Sequence, residues 1–543
     1  MCGSNSGDTS FPVEDAALFT EITSTLGLNN APEPWPNGTY AMPEMTPAGL
    51  GLFDYDNDGD LDLLQIRCPP PGQSHLPAPN KLFQQQSDGT FLDVTATSGL
   101  GDPGYGQGVA IGDADNDGDL DVYVTNFGRD AFYRNRGDGT FVNATKDAGV
   151  SGEHWSTSAA LVDYDRDGDL DLYVVHYVVF ESSVACKSLN DIPEYCGPQK
   201  FEPTLDTLYR NNGNGTFTDV TAEAGISSPG KGLGVVCADL TEDGWVDIYV
   251  ANDGEMNHLW VNNGDGTFTD EALIRGVGLN GYGLPEASMG VTVGDANGDG
   301  KLDLFMTHLK DQTNTLYMAT AYQILNDESD ASGFATIDLP YTGFGCGFFD
   351  YDNDGDLDLA FVNGRVKRGP IIPGAAAGNF WNLYAEPNLL VQNDGDGHFT
   401  DMSSHACAFT TQIEVSRGLA FGDIDQDGDI DLVVSNLGNG LRVFRNNAPK
   451  LGTHWLRVRV MSGNRDAIGT EVTLVAADRQ FLRLVLPGYG YASSNEPNVH
   501  FGLGKINTIE GLNVKWPDGK VEHFEVSNVD QEVTIRKGEG KTL

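Results

Sequence analysis

One nine-residue pattern, D-x-D-x-D-G-x-x-D, recurs seven times in this chain. It reads DYDNDGDLD from Asp54, DADNDGDLD from Asp113, DYDRDGDLD from Asp163 and DLTEDGWVD from Asp239. It returns as DANGDGKLD from Asp295, DYDNDGDLD from Asp350 and DIDQDGDID from Asp423. Side chains at positions one, three, five and nine can converge on one point, and the seventh residue can add its backbone carbonyl. Calcium takes six to eight hard oxygen ligands at roughly 2.3–2.6 Å and tolerates irregular geometry. Glycine at position six permits the turn that folds the oxygens inward. Four carboxylates so close repel one another, so the pattern makes chemical sense around a divalent cation.

The candidate side-chain ligands follow position by position. The first loop offers Asp54, Asp56, Asp58 and Asp62 with the carbonyl of Asp60; the second, Asp113, Asp115, Asp117 and Asp121 with Asp119. The third offers Asp163, Asp165, Asp167 and Asp171 with Asp169; the fourth, Asp239, Thr241, Asp243 and Asp247 with Trp245. The fifth offers Asp295, Asn297, Asp299 and Asp303 with Lys301; the sixth, Asp350, Asp352, Asp354 and Asp358 with Asp356. The seventh offers Asp423, Asp425, Asp427 and Asp431 with Asp429. About seven calcium ions are expected. Thr241 and Asn297 keep an oxygen but drop one negative charge, which predicts weaker binding in those two loops. An EF-hand would require a twelfth-position Glu between helices, whereas these loops run into β-branched segments; magnesium prefers few protein ligands and several waters.

The surrounding segments must position these loops. Small residues and glycines precede each one (GYGQGVAIGD, SRGLAFGD), and short strand-like runs follow (DVYVTN, DLYVVHY, DIYVAN, DLVVSN). Most units add a hairpin around an Asn/Asp-Gly turn, as in LYRNNGNGTFTDVTAEAGI. Each unit thus supplies roughly four strands, one propeller blade. Steps between loop starts are 59, 50, 76, 56, 55 and 73 residues, the longer ones carrying insertions. LFTEITSTLGL from Leu18 is half a hairpin and LRVFRNN from Leu441 the other half; pairing them closes the ring and removes a free sheet edge. From about Lys450 the repeat gives way to alternating strands such as THWLRVRV and TEVTLVA. The expected fold is all-β: an N-terminal tether (1–10), a seven-bladed calcium-binding β-propeller (11–449) and a small, separate β-sandwich-like domain (450–543).

Hydrophobic residues make up 39% of the chain, which excludes a disordered acidic tail. The net charge of −47 argues against nucleic-acid and anionic-membrane partners, and no apolar run reaches the roughly 20 residues of a membrane helix. Cys186 and Cys196 are the best candidate disulfide pair; Cys237 and Cys346, in apolar runs, read as buried thiols. The start, Met1-Cys2-Gly3-Ser4-Asn5, lacks a signal peptide and resembles the mature end of a bacterial lipoprotein with a lipid anchor at Cys2; an arbitrary boundary explains it equally well. Arg136-Gly137-Asp138 falls in a hairpin turn whose composition explains it. Asn37, Asn143 and Asn214 head N-x-T sequons. The histidines, His154, His176, His258 and His308 among them, form no zinc-binding pair, and no nucleophile elbow or P-loop appears.

These loops resemble FG-GAP/VCBS repeats, the calcium-binding blades of integrin α-subunit propellers. NRDAIGTEVTL from Asn464, PGYGYASSNEPNVHFGLG from Pro487 and VKWPDGKVEHF from Val514 resemble an ASPIC/UnbV domain. The combination is that of the cartilage acidic protein family, and YCGPQKFEPTLDTLYRN is similar to its bacterial members. The resemblance implies an extracellular or cell-surface protein with structural calcium and roles in adhesion or matrix interaction. The expected function is a scaffold that binds protein or glycan partners. The alternative is a subunit that self-assembles into a homo-oligomer, fibre or layer; an enzyme using the propeller axis is least supported.

Overall fold

The computed structural model describes residues 17–28, 39–70, 78–188, 190–405, 408–438, 440–450, 452–476 and 479–543. The expected tether, Cys2 and the sequon at Asn37 lie outside them.

One blade shows how the repeat folds. Gly106–Gly112 is a fully buried strand of small and branched residues; the Asp-rich loop follows, then Asp121–Arg129, Ala131–Asn135 and Phe141–Asn143 pair in antiparallel order. The last two are joined by the turn containing Arg136-Gly137-Asp138, where Asp138 accepts both the N–H and O–H of Thr140. Seven such four-stranded units form among the described residues, those of blades 2 and 3 fused through Glu153–Trp155 pairing with Phe127–Arg129.

Their first strands are Leu50–Phe53, Gly106–Gly112, Glu153–Val162, Gly232–Ala238, Val291–Gly294, Gly343–Phe349 and Ser416–Gly422, numbered here as blades 1 to 7. Each touches the next, and the seventh touches the first. Closure uses both ends of the array: Phe19–Glu21 pairs with Gly440–Asn446 in the register Phe19↔Asn446. The glycines before each loop are explained by backbone-to-backbone contact near the axis. A Cβ at Gly108, Gly234, Gly290 or Gly418 would stand 2.1–2.4 Å from a carbonyl oxygen of the neighbouring blade.

From His454 onward two sheets face each other. One is built on His454–Ser462, with Val499–Gly504 antiparallel and Gln531–Arg536 parallel to it; the other centres on Glu471–Ala476 and Gly511–Lys515. Leu456, Val458, Val472, Leu474, Phe501 and Trp516 fill the space between. This region does not stand apart from the propeller. Residues 487–498 leave it and enter the ring, where they meet the first strand of every blade. Ser494 exchanges backbone hydrogen bonds with Leu50 and Leu52, Gly490 exchanges two with Val291, and Val109 donates to the Ala492 carbonyl. The Ala492 N–H is bound by Ser158 Oγ at 3.0 Å, and Asn495 Oδ1 accepts the Phe421 N–H at 3.1 Å. Gly490 abuts the Gly234 and Cys346 backbones. At the tip Tyr491 is 1% exposed, donates to the Thr46 carbonyl at 2.8 Å and packs edge-on against Phe344.

Two buried histidines give the fold a pH signature. His176 holds Ser156 Oγ and Thr207 Oγ1 at 3.1 and 3.0 Å, and His308 holds Ser288 Oγ at 3.1 Å. Burial lowers their pKa values to about 3 and about 4. An unfolded imidazole titrates near 6.5, so below that pH the unfolded chain binds protons that the native state refuses. Their contribution is therefore fully present above about pH 6.5 and is lost as pH falls toward 4. Histidine NMR signals of the native protein should show these two rings neutral from pH 8 to pH 5; titration of either near 6.5 contradicts the buried geometry.

Candidate metal centres

Each Asp-rich loop joins the first strand of a blade to its second, so all seven lie on one face of the ring. The loop is folded by its own carboxylates. Asp54 accepts the N–H groups of Asp58 and Gly59 at 3.1 and 3.0 Å, and Asp113, Asp239, Asp295, Asp350 and Asp423 do the same in their loops. The reversal falls on the fourth residue, which is left-handed even where it is not glycine, as at Asn57 (φ 60°) and Arg166 (φ 63°).

Carboxylate oxygens gather within 4.8 Å of one another in five loops: Asp54, Asp56 and Asp58; Asp113, Asp115 and Asp117; Asp163, Asp165 and Asp167; Asp350, Asp352 and Asp358; Asp423, Asp425 and Asp427. The Asp239 and Asp295 loops, with Thr241 and Asn297 at position three, bring two carboxylates and one neutral oxygen to the corresponding positions. A direct observation supports a cation there. Asp56 Oδ1, Asp115 Oδ1, Asp352 Oδ1 and Thr241 Oγ1, all at position three, are buried without a hydrogen-bond partner, as is Asp163 Oδ1. Buried acceptors without a partner are costly unless something else satisfies them. Burial first, and the neighbouring aspartates in addition, pushes the carboxyls of Asp113, Asp163 and Asp352 up to about 6. A divalent cation among such groups holds them ionised at neutral pH. Hard oxygens in an irregular, carboxylate-rich set fit calcium.

Position nine does a second job. Asp62 accepts the Tyr55 N–H at 3.1 Å and the Gln85 N–H at 2.8 Å, stapling its loop to the third strand. The other six ninth-position aspartates are bound in the same way. Only Asp358 joins a three-carboxylate cluster from this position. Position seven, read from the sequence as a carbonyl donor alone, also uses its side chain. Asn57 donates to Asp119 at 2.7 Å, Asn116 to Asp169 at 2.6 Å, Asn353 to Asp429 at 2.7 Å and Gln426 to Asp60 at 3.0 Å, each across a blade seam. Arg166 stacks on Trp245 at 3.8 Å across another. Lys301 makes no such contact among the described residues, and its loop follows Glu242.

A further set of seam residues escaped the motif. Asn135, Asn211, Asn262, Asn393 and Asn446, ending the third strands, donate at 2.7–2.9 Å to the position-two carbonyl of the preceding blade's loop. Gln85 does so from blade 1. The signal was present in the recurring Asn of YRNN, YRNR, WVNN, VQND and FRNN. Blade 5 has Ala319 instead, so the seam between blades 4 and 5 lacks both kinds of bridge.

The C-terminal region sits on the loop face and meets it with cations. Arg457 reaches Asp423 at 2.6 Å, Lys515 reaches Asp239 at 2.9 Å, Arg479 reaches Asp356 at 2.5 Å and Lys450 reaches Asp427 and Asp429 at 3.2 Å. Arg465 and Arg483 donate to the Gly168 and Gly355 carbonyls at 2.9 and 3.2 Å. Arg457 is the most enclosed, with Glu496 and Glu532 also at 2.8 and 2.9 Å. Arg457→Ala strands the Asp423 and Glu496 carboxylates in a buried site and should lower stability by about 3–5 kcal/mol. Chemical denaturation in saturating calcium measures this, and a loss below 1 kcal/mol would contradict a buried network.

The two neutral-substituted loops carry a calcium prediction. Isothermal titration should resolve a tight class of sites and a weaker class, and Asp239→Asn should alter only the weak class. A tight site lost with Asp239→Asn overturns the charge argument. Outside the loops, Cys186 and Cys196 are joined by a disulfide, with Cα atoms 5.2 Å apart. Cys237 and Cys346 are buried thiols, as expected.

The FG-GAP-like repeat family matches residues 54–124, 113–174, 202–250, 239–306 and 375–434, together more than half of the chain. The ASPIC and UnbV family matches residues 461–542. Cartilage acidic protein 1 of Xenopus tropicalis is 30% identical over 330 residues, covering 58% of this chain and 47% of the relative. The Homo sapiens protein of that name is 29% identical over 313 residues, covering 56% and 43%. The chain thus spans about half the length of the curated relatives it matches. Among solved structures, Saccharomyces cerevisiae Sqt1 aligns over 77% of this chain and all of its own at 8% identity and a TM-score of 0.39. An Agrocybe aegerita lectin, described for recognising non-reducing terminal N-acetylglucosamine, aligns over 72% and 85% at 15% identity and a TM-score of 0.37. Repeats and C-terminal match together place the chain in the cartilage acidic protein-like family of FG-GAP repeat proteins with an ASPIC/UnbV domain.

Proposed function

We propose that this chain is a calcium-binding scaffold of the cell surface or extracellular space. Calcium is structural in the Asp-rich loops, and protein or glycan partners bind through propeller loops and the C-terminal region. The observation that carries this reading is the position-three oxygen, buried without a partner in four separate loops, in three of them beside converging carboxylates. C-terminal cations reach the Asp163, Asp239, Asp350 and Asp423 loops, so one ion set fastens the ring and the surface docked on it. Membership of the cartilage acidic protein-like family supports the extracellular setting. Among the described residues no helix is long and apolar enough to cross a membrane.

Elemental analysis of natively purified protein tests the metal: about seven calcium ions per chain are expected, and a folded protein with essentially none sinks the reading. Light scattering in calcium tests the role. A monomer that captures immobilised matrix proteins or glycans, and releases them on chelation, supports a scaffold. A polymer of defined repeat supports the self-assembling alternative instead.

A further inference from the structure

The two longest steps between Asp-rich loops, 76 and 73 residues, supply insertions between the second and third strands of blades 3 and 6. They leave the face opposite the calcium loops, on opposite sides of the ring, and meet over its axis. Tyr384 OH donates to Glu194 Oε1 at 2.9 Å, the Arg368 N–H donates to Glu194 Oε2 at 3.3 Å, and Arg368 Nη2 donates to the Pro193 carbonyl at 2.9 Å. Tyr195 OH donates to Glu44 at 2.9 Å, which draws in the segment before blade 1. The Cys186–Cys196 disulfide closes the blade 3 insertion on itself. The roof so formed covers a chamber of about 70 Å³. Residues 487–498 fill the ring from the other side, and Tyr491 belongs to the same apolar cluster as the chamber's inner wall.

The chamber has a definite chemistry. Its walls are mainly Met42, Met45, Met289, Tyr177, Tyr195 and Phe344, and Asp253 is the one carboxylate among its lining residues. Asp253 is held rigidly: its N–H donates to the Lys231 carbonyl at 2.9 Å, and Oδ2 accepts the Tyr177 hydroxyl. The nearby Lys231 ammonium is taken by Glu255 at 2.8 Å. Arg417 lies behind Phe344 at 3.8 Å, outside the chamber's lining, with N–H groups bound by the carbonyls of Met45, Gly364, Ser416 and Arg365. Lys367 stands at the exposed rim. A carboxylate beside tyrosine rings and polarisable thioethers suits an organic cation with a short apolar body. At 10–15 Å³ of such volume per water, the space corresponds to about five to seven non-hydrogen atoms.

We propose that this chamber binds a small primary alkylammonium ion, its head on Asp253 and its alkyl chain against Met42, Met45 and Met289. Saturation-transfer NMR on the full chain in calcium tests it with three probes of nearly equal size: n-butylammonium, 1-butanol and butyrate. Butylammonium should bind about tenfold more tightly than butanol, a difference of about 1.4 kcal/mol, and butyrate should not bind. Asp253→Asn should erase the preference for the amine, and Met289→Phe, which fills the chamber, should abolish binding of both the amine and the alcohol. The comparison of probes on the unaltered protein decides the matter even if a variant misfolds. Equal binding of amine and alcohol, stronger binding of butyrate, or binding of none overturns the proposal, and none of these results bears on calcium in the loops.

Discussion

Chelation should lower the stability of this chain on the order of 10 kcal/mol, the largest effect expected of any single change of conditions. A ligand held only by the native state stabilises it by mass action, by about 2.7 kcal/mol per site at a concentration 100-fold above its dissociation constant. Five three-carboxylate loops contribute in parallel. Removing the ions restores repulsion among groups as close as Asp54, Asp56 and Asp58 and leaves oxygens such as Asp115 Oδ1 buried and unsatisfied. Asp56→Ala should reproduce the effect for one loop, about 2–3 kcal/mol in saturating calcium. Denaturant melts with and without chelator measure both. An unchanged midpoint in chelator would rule out a structural role for the ions.

Tyr491→Ala should be the most damaging single substitution outside the loops, costing about 3–5 kcal/mol as expected for a large buried ring. The side chain is 1% exposed, and its removal leaves a hole between Phe344 and the Thr46 carbonyl that nearby backbone cannot fill. Gly49→Val attacks the same contact from the ring, because a Cβ there stands 2.3 Å from the Ala492 carbonyl oxygen. Both variants should unseat residues 487–498 and open that segment to limited proteolysis. Leu92→Ala, at a side chain 54% exposed on an outer strand, is the control and should change stability by less than about 0.5 kcal/mol. Wild-type melting and protease resistance in Tyr491→Ala would show that the segment does not hold the ring.

The propeller was legible because one unit repeats. The loops announce themselves by chemistry, the strands by branched residues after each loop, and closure by the half-hairpins at Leu18 and Leu441. Seam contacts were partly legible, since the Asn that ends each third strand recurs. Its target is a backbone carbonyl one blade away, which no side-chain pattern displays. The inserted segment was hidden for the same reason. PGYGYASSNEPN has no periodicity, and it engages Leu50, Val109 and Val291 through main-chain hydrogen bonds that any residue types could make. The C-terminal cations read as ordinary surface charge until the fold laid Arg457 against Asp423 and Lys515 against Asp239. That the seam between blades 4 and 5 goes without the asparagine bridge became visible only by comparing Ala319 with the asparagines of its counterparts.

The residues that occupy the middle of the ring are translated after all seven blades. During synthesis every blade emerges before Pro487, so the nascent toroid has a bare lumen until residues 487–498 arrive. Because chains mature from the N-terminal side at the ribosome, any product cut short before that point displays glycine-lined strands with open hydrogen-bonding groups. Such fragments should be the species that quality-control proteases and holdases meet first.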